Sequence, residues 1–270
     1  MASLDGLSTD MLRTSRAAWW DDAFTRRLLE AIPSDTASIV DVGCGLAVAA
    51  HALLPHLPHA RYLGIDADAE RIRSARAEAA DPRIAFEVAR AEQLPIVAAT
   101  TDVVLFVMTL QHLARVETAL AEARRLLRAG GRVVAAEPDN LGQRFYVDGF
   151  ASRLTEAVQR LCERTRSARL PADIAIGPRV GSEMARAELD VVSATVHAVH
   201  STRVEPAAAF CQRAQRIVHA IARQGELSPD AVEVLACERA IEDELRARDA
   251  TPVVTSHLVP VFIFAGVRGS

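Results

Sequence analysis

The sequence predicts an α/β protein with a doubly wound, mostly parallel sheet of seven strands. Two observations support this fold class: strand and helix patterns alternate from residue 39 to residue 136, and a glycine turn joins the first strand to the first helix of this region. Strands that alternate with helices through short links form parallel sheets with right-handed crossovers. Two later apolar runs supply the last strands, and we expect the helices added around them to form a lid over a binding pocket.

Short apolar runs bounded by turn residues mark the predicted strands. They lie at 39–42, 61–65, 83–88, 102–107, 131–136, 189–200 and 257–267. Apolar residues at spacings of three and four mark the predicted helices. They lie at 10–31, 47–54, 68–80, 112–128, 147–168, 206–223 and 230–247. The fourth of these helices is expected to end at Gly130-Gly131, because glycine commonly ends helices.

Composition limits the classes of protein that the chain can belong to. Half of the 270 residues are apolar and the net charge is −4. All 31 basic residues are arginines and there is no basic run, so we expect no nucleic-acid partner. No apolar run approaches the ~20 residues of a membrane span, and the first residues lack a signal-peptide pattern. We therefore expect a cytoplasmic protein whose four scattered cysteines are reduced and hold no metal.

The turn after the first strand is the strongest sign of a ligand site. Gly43 and Gly45 break the strand just before a helix, and glycine lets the backbone approach a ligand closely. A strand, a glycine turn and a helix start form the nucleotide-binding corner of a doubly wound sheet. Asp41 lies two residues before Gly43, where its carboxylate would repel a pyrophosphate and attract an ammonium group. Between the glycines, Cys44 fits a small side chain packed under the loop better than a nucleophile.

A second acidic residue ends the next predicted strand. Asp66 follows Gly43 by 23 residues, and at that distance an acidic residue can accept hydrogen bonds from both ribose hydroxyls. The alternative is that Asp66 caps the next helix, which begins with Asp68 and Glu70. Together with the glycine turn, ribose binding is the preferred interpretation.

Residues 35–140 resemble the class I S-adenosylmethionine-dependent methyltransferases, especially their small-molecule group, the type 11-like methyltransferases. The resemblance depends on motifs that occur in the family's order. They are Asp41-Val42-Gly43-Cys44-Gly45, then Asp66, then Ala91-Glu92-Gln93-Leu94-Pro95, then Asp102-Val103-Val104-Leu105 with Leu110-Gln111-His112-Leu113, and lastly the helix and glycine turn from Glu122 to Gly131.

The resemblance implies that S-adenosyl-L-methionine is the cofactor. In the family, the glycine loop passes the methionine moiety, the acidic residue that matches Asp41 helps to bind its ammonium, and the one that matches Asp66 holds the ribose. The loop that begins at Ala91 lies on the adenine side. The implied cofactor-binding residues are Asp41, Gly43, Cys44, Gly45, Asp66, Ala67, Ala91, Glu92 and Val107.

Two positions depart from the family pattern. Many relatives have a third glycine where Ala47 stands. Arg90 occupies the position of an aspartate that commonly accepts a hydrogen bond from the adenine amino group, and arginine cannot accept that bond. Either Glu92 or backbone groups near Ala91 take over this contact, or adenine is bound less specifically.

The residues expected to act on the acceptor follow the fourth and fifth strands. Methyl transfer is an in-line displacement that needs orientation and, for some nucleophiles, removal of a proton. The catalytic candidates are His112, Glu137 and Tyr146. His112 is either a base, with an unperturbed pKa near ~6.5, or a histidine packed beside the cofactor. Tyr146 and Phe145 are either an aromatic wall for the acceptor or ordinary core residues.

Several other residues have two interpretations. Trp19 and Trp20 belong to an N-terminal lid or anchor the first helix to the core. Histidines on apolar strands are more often satisfied core residues than ligands; they are His197, His200 and His257. The late helices cover the sheet, form a homodimer contact or build the acceptor pocket, which is the use implied by the resemblance.

The sequence thus predicts three segments: an N-terminal helical lid (1–34), a cofactor-binding α/β core (35–140) and a segment that completes the sheet and caps the acceptor pocket (141–270). The predicted function is methyl transfer to a small, aromatic or otherwise apolar acceptor in bacterial secondary metabolism. One alternative is an NAD(P)-dependent oxidoreductase, which Val48 at the last position of the dinucleotide fingerprint and the charge of Asp41 disfavour. The other is a non-catalytic cofactor-binding protein, to which Arg90 and Ala47 give some weight.

Overall fold

The computed structural model describes residues 19–147, 175–206 and 252–269, together with Arg13, Asp173 and four single residues between 209 and 243. The chain divides into two compact units. The first contains 1–138, 172–197 and 261–270, and the second contains 139–171 and 198–260. The predicted helices at 206–223 and 230–247 lie outside the described residues except for single positions, as do most of the helix at 147–168 and the start of the helix at 10–31.

Eight strands occur in the described part of the chain. They are β1 (Ser38–Val42), β2 (Arg61–Asp66), β3 (Ile84–Val88), β4 (Thr101–Val107), β5 (Leu127–Pro138), β6 (Arg144–Val147), β7 (Leu189–Glu205) and β8 (Val253–Arg268). The pairing order is β3-β2-β1-β4-β5-β8-β6, and β7 also pairs with β8. Strands β1 to β5 pair in parallel, whereas β8 is antiparallel to both β5 and β6. The predicted α/β class and mostly parallel sheet are confirmed.

Five α-helices and three short 3₁₀ turns connect the described strands. The helices are α1 (Asp22–Ala31), α2 (Val48–Leu53), α3 (Ala69–Glu78), α4 (Val116–Leu126) and α5 (Val180–Arg186), and the 3₁₀ turns are Leu54–His56, Leu110–His112 and Gly177–Arg179. Local sequence explains where α1 lies, because the Asp21 side chain accepts a hydrogen bond from the amide of Phe24 and Pro33 follows the last turn. None of these helices is long and apolar enough to cross a membrane.

The core of the first unit lies on both faces of its central strands. Val103 to Phe106 in β4 are fully buried, and because successive side chains of a strand point to opposite faces, β4 is covered on both sides. On α4, Leu120 and Leu126 are fully buried against this core. A fully buried side chain of this size stabilises the fold by roughly 1.5–3 kcal/mol. Apolar burial therefore fixes the central strands whose carboxyl ends carry the predicted site.

Two elements differ from the sequence prediction. Helix α4 ends at Leu126 and β5 begins at Leu127, so the Gly130-Gly131 pair lies within a strand and does not end a helix. Here the backbone of β5 runs close to β4: a Cβ atom on Gly131 would lie 3.0 Å from the carbonyl oxygen of Thr101. The second difference is β6, which ends at Val147, the residue that was expected to begin a helix.

Candidate active site

The glycine turn after β1 is held against the end of β2. The amides of Gly43 and Cys44 both donate hydrogen bonds to the carbonyl of Ile65, at 2.7 and 3.0 Å. Gly43 and Gly45 have φ angles of +75° and +55°, the left-handed region that glycine adopts without strain. A Cβ atom on Gly45 would meet no other atom within 4 Å. The turn therefore combines a fixed backbone with open space for a ligand over Gly45.

Asp41 lies in β1 directly before this turn and is 2% exposed. The hydroxyl of Tyr62, a fully buried residue of β2, donates a hydrogen bond to Oδ2 of Asp41. Burial, followed by the nearby Asp41 charge, raises the pKa of Tyr62 well above its ordinary value. Tyr62 is therefore a neutral donor that holds one oxygen of the carboxylate.

Asp66 ends β2 and connects two backbone segments. Its Oδ2 accepts a hydrogen bond from the amide of Gly45 at 3.0 Å, and its Oδ1 accepts one from the amide of Asp68 at 2.9 Å. Asp68, rather than Asp66, caps α3, so the helix does not need Asp66 as its cap. Burial raises the pKa of Asp66, and the hydrogen bonds from Asp68 and Gly45 lower it in part. Each oxygen of an ionised carboxylate can accept a second hydrogen bond, while Ala67 beside it is exposed.

Cys44 packs under the turn, as the sequence suggested. Its side chain is buried, and a Cβ atom on Gly64 would lie 2.9 Å from its sulfur. Burial raises the pKa of the Cys44 thiol well above its ordinary value, and the charges of Asp41 and Asp66 raise it further. A thiol with a raised pKa is a poor nucleophile, which favours the packing interpretation.

The loop after β3 contains the residues predicted on the adenine side. Ala91 is buried, and Glu92 is mostly buried. The exposed Arg90 lies beside Glu92, with 3.4 Å between its Nε and Oε2 of the glutamate. The unusual arginine therefore faces an acidic neighbour two residues along the loop.

Helix α4 fixes the position of this loop. The amide of Leu94 donates a hydrogen bond to Glu122 at 2.8 Å, and the guanidinium of Arg125 donates to the carbonyls of Leu94 and Ile96 at 3.1 and 2.9 Å. Glu122 and Arg125 also form an ion pair at 2.7 Å. Charged side chains of α4 thus provide hydrogen-bond partners for the backbone of this loop.

The exit of β4 is organised by Glu137, one of the three predicted catalytic residues. Glu137 is fully buried at the end of β5, and its carboxylate accepts hydrogen bonds from the amides of Thr109 and Leu110, both at 2.8 Å, and from that of Gln111 at 3.4 Å. Met108, which follows Val107, has a φ of +54°, a conformation that is uncommon for residues other than glycine. The carboxylate thus supports a sharply bent backbone at the carboxyl end of β4.

The side chain of Thr109 connects this bend to the glycine turn. Thr109 Oγ1 lies 3.4 Å from the carbonyl oxygen of Gly43. A Cβ atom added to Gly43 would overlap both Oγ1 and Cγ2 of Thr109. The first glycine of the motif is therefore required by a close neighbour as well as by its backbone angle.

The other two predicted catalytic residues differ in position. His112 is the last residue of the 3₁₀ turn after β4, and it is exposed. Tyr146 lies in β6, opposite Ser256 of β8 in the second unit, and its side chain is outside the described part of the chain, as is that of Phe145. Among the described residues, no three His, Cys, Asp or Glu side chains form a group that could hold a metal ion.

Two residues of the site were not recognised from sequence. Tyr62 is a polar aromatic residue in an apolar strand, two positions before Gly64 and therefore on the same face of β2. Thr109 follows β4 and belongs to neither of the two motif segments beside it. The position of Tyr62 in the sequence could have indicated that it belongs to the site. Only the structure reveals that Thr109 contacts Gly43.

Residues 40–135 match the sequence model of a protein family described as Methyltransferase domain. The match begins in β1 and ends in β5, and it includes the glycine turn, Asp66 and the exit of β4. This part of the chain is therefore similar to a methyltransferase domain.

Two individual proteins to which the chain is similar are also methyltransferases by name. The malonyl-[acyl-carrier protein] O-methyltransferase of Hahella chejuensis is 36% identical over 107 residues, which are 40% of this chain and 37% of that protein. The trans-aconitate 2-methyltransferase of Azoarcus sp. is 35% identical over 116 residues, which are 43% of this chain and 45% of that protein. The chain thus covers less than half the length of each of these relatives.

Similarity of fold extends further than similarity of sequence. A solved complex of the Haloferax volcanii Trm112 methyltransferase activator with a methyltransferase contains a chain that superimposes with a TM-score of 0.61 and 17% identity, covering 100% of this chain and 99% of that one. At this level of identity, the likeness concerns the fold.

Proposed function

We propose that the protein transfers the methyl group of S-adenosylmethionine to a small acceptor. The observation that carries the proposal is the buried carboxylate of Asp41, just before a glycine turn that leaves open space over Gly45. A second buried carboxylate, that of Asp66, accepts a hydrogen bond from the amide of Gly45. A nicotinamide dinucleotide would bring its pyrophosphate to this turn, where the charge of Asp41 repels it. A sulfonium amino acid brings a cationic group instead.

Each part of the cofactor has a candidate partner at the carboxyl ends of the parallel strands. Asp41 attracts the ammonium of the methionine moiety, and the backbone at Gly43, Cys44 and Gly45 lies beside that moiety. Asp66 accepts hydrogen bonds from the ribose hydroxyls, for which its oxygens have further lone pairs. Ala91 and Glu92 are proposed for the adenine side, and Ala67 and Val107 complete the proposed set of cofactor-binding residues.

Methyl transfer needs few chemical groups from the protein. The acceptor's lone pair attacks the methyl carbon, the carbon–sulfur bond breaks, and its electrons stay on sulfur, which leaves as neutral S-adenosylhomocysteine. An acceptor O–H or N–H also gives up its proton, and exposed His112 at the exit of β4 is our candidate base. Glu137 serves this site by holding the β4 exit. For the side chain of Tyr146, contact with the acceptor remains a prediction.

The acceptor class and the setting are further parts of the proposal. We infer a small, aromatic or otherwise apolar acceptor, because the segment after residue 140 is rich in apolar stripes and has no basic run. A cytoplasmic location, a role in bacterial secondary metabolism and a homodimer contact through the late helices remain expectations from the sequence.

Titration calorimetry tests the cofactor assignment. We expect S-adenosylmethionine and S-adenosylhomocysteine to bind and NAD not to bind. Substitution of Asp66→Asn removes the charge that the ribose hydroxyls meet, and hydrogen bonds to charged groups contribute about 1.5–3 kcal/mol, so affinity should fall by at least about tenfold.

The matched control is Asp68→Asn, the same change two residues along the chain, because asparagine also caps helices well. This control should leave cofactor affinity nearly unchanged. Failure of the unsubstituted protein to bind S-adenosylmethionine, or equal affinity in Asp66→Asn, would contradict the assignment. Cofactor binding without turnover of any offered acceptor would instead favour a non-catalytic cofactor-binding protein.

A further inference from the structure

The hydroxyl of Tyr62 joins β2 to the residue that precedes the glycine turn by two positions. It donates a hydrogen bond to Oδ2 of Asp41, in β1. The ring is fully buried, and burial restricts a side chain to one rotamer in a close-packed interior. One buried hydroxyl thus holds the carboxylate of Asp41 from the neighbouring strand.

Strand β2 holds the segment from Asp41 to Gly45 through three of its residues. Tyr62 holds the Asp41 side chain, the carbonyl of Ile65 holds the amides of Gly43 and Cys44, and Asp66 holds the amide of Gly45. A glycine turn has many accessible backbone conformations, so its shape depends on such external restraints. Of these three residues, Tyr62 is the only one that acts on the carboxylate proposed to meet the cofactor's ammonium.

We propose that Tyr62 is a positioning residue for the amino-acid end of the cofactor, acting through Asp41; this inference rests on the proposed function. Its hydrogen bond holds the carboxylate in one orientation before the ligand arrives. A group that is already oriented loses less conformational freedom when it binds. The hydroxyl remains a donor over the working pH range, because burial and the neighbouring charge keep its pKa high.

The test compares two ligands that differ only at the amino-acid end. S-adenosylhomocysteine and 5′-methylthioadenosine are both neutral thioethers of adenosine, and the second lacks the ammonium and carboxylate groups. In Tyr62→Phe, which keeps the ring and removes the hydroxyl, we expect S-adenosylhomocysteine to bind about tenfold more weakly, because the Asp41 carboxylate loses its fixed orientation and must be ordered when the ligand binds. The affinity for 5′-methylthioadenosine should stay within about twofold, because its contacts lie elsewhere.

Thr36→Val is the matched control for loss of a buried hydroxyl. Thr36 is also buried, and its Oγ1 donates to the carbonyl of Pro33 at 2.6 Å, in the segment before β1. We expect this variant to lower the midpoint of thermal unfolding without changing the affinity for either ligand. The comparison separates a general loss of stability from a change at the amino-acid end.

A second variant keeps the inference testable if Tyr62→Phe is poorly folded. Asp41→Asn keeps the side-chain shape and an oxygen that can accept the hydrogen bond of the Tyr62 hydroxyl. It should also lower the affinity for S-adenosylhomocysteine more than that for 5′-methylthioadenosine. In the double variant the two losses should not add, because Tyr62 acts through Asp41.

Three results would overturn the inference. The first is an unchanged affinity of Tyr62→Phe for S-adenosylhomocysteine, and the second is an equal loss of affinity for both ligands. The third is a loss of binding free energy in the double variant that equals the sum of the two single losses. If the unsubstituted protein bound neither ligand, the proposed function would fail as well, so the two failures are distinguishable.

Discussion

Thr109 and Gly43 show how a residue outside any motif can determine a motif residue. The φ of +75° at Gly43 disfavours any other residue, and the side chain of Thr109 fills the space that a methyl group would need. We expect Gly43→Ala to lower the free energy of unfolding by roughly 3 kcal/mol or more, because left-handed strain of about 1–2 kcal/mol adds to overpacking of similar size. Urea unfolding measures this loss.

Gly45→Ala is the matched control for that prediction. Gly45 has a similar φ of +55°, but no atom lies within 4 Å of the added methyl position. This variant should therefore show the strain alone, about 1–2 kcal/mol. Thr109→Ala removes the clashing atoms, so Gly43→Ala should cost less in that background. Equal costs for the two glycine variants would contradict the role assigned to Thr109.

The site residues that sequence could predict are those whose chemistry belongs to a local pattern. Asp41, Gly43 and Gly45 occur within five residues, and Asp66 follows at the distance set by one strand, one helix and one strand. The roles of Tyr62 and Glu137 could not be predicted in this way. Each acts through partners that the fold brings in from another segment of the chain, 21 residues away for Tyr62 and 26 to 28 for Glu137.

At the scale of elements, helix α1 packs on β7 through a histidine. The ring of His197 lies 5.2 Å from that of Phe24 between centroids, and its Nε2 is 3.6 Å from the Asp21 carboxylate. Trp20 packs edge-on against Phe24 at 5.0 Å, and its indole N–H donates to Thr25 at 2.9 Å. The interpretation of Trp20 as an anchor of the helix therefore has direct contacts in its favour.

This packing predicts a loss of stability in acid. Burial lowers the pKa of His197, the Asp21 charge raises it in part, and Arg27 lowers it again. Above the ordinary pKa of histidine, about 6.5, the ring is neutral in both states and contributes no pH dependence. Below it, the unfolded chain takes up a proton that the folded chain resists, so stability falls until the pH passes the lowered pKa.

We expect the free energy of unfolding, measured with urea, to fall less in His197→Phe than in the unsubstituted protein when the pH is lowered from 7.5 to 5.5. The phenylalanine keeps the packing on Phe24 and has no proton to bind. His59→Gln is the control, since His59 is exposed, and it should retain the full acid dependence. An unchanged acid dependence in His197→Phe would show that another group is responsible.

The bounds of a strand were predictable where a local sequence pattern marks them. They were less predictable where pairing with a distant strand determines where the strand begins or ends. Strands β1 to β4 lie within about one residue of their predicted bounds, because apolar runs and turn residues mark both ends. The start of β5 at Leu127 depends on pairing with Thr101 of β4, and a helical spacing pattern cannot reveal that partner. Strand β6 depends on β8: Arg144 pairs with Leu258, far along the chain.

At the scale of the whole molecule, all described residues proposed to bind the cofactor belong to the first unit. This unit contains the match to the methyltransferase family and the carboxyl ends of β1, β2 and β4. The second unit contains β6 and the described residues 139–147, where the acceptor candidate Tyr146 lies. The proposed binding site for the methyl donor thus lies within one compact unit, and experiments on it can be made without the acceptor.

The last prediction concerns the response of the folded chain to its cofactor. A ligand that binds only the folded state stabilises it by about 2.7 kcal/mol at 100 times its dissociation constant, which for a chain of this size corresponds to a rise in Tm of about 5–10 °C. We expect this rise with S-adenosylmethionine and none with NAD. Hydrogen exchange should slow at the amides of 43–47 and 107–112, where opening is local, and less at 144–147. A rise with NAD, or slowing confined to 144–147, would contradict the assignment, because the donor site would then lie outside the glycine turn.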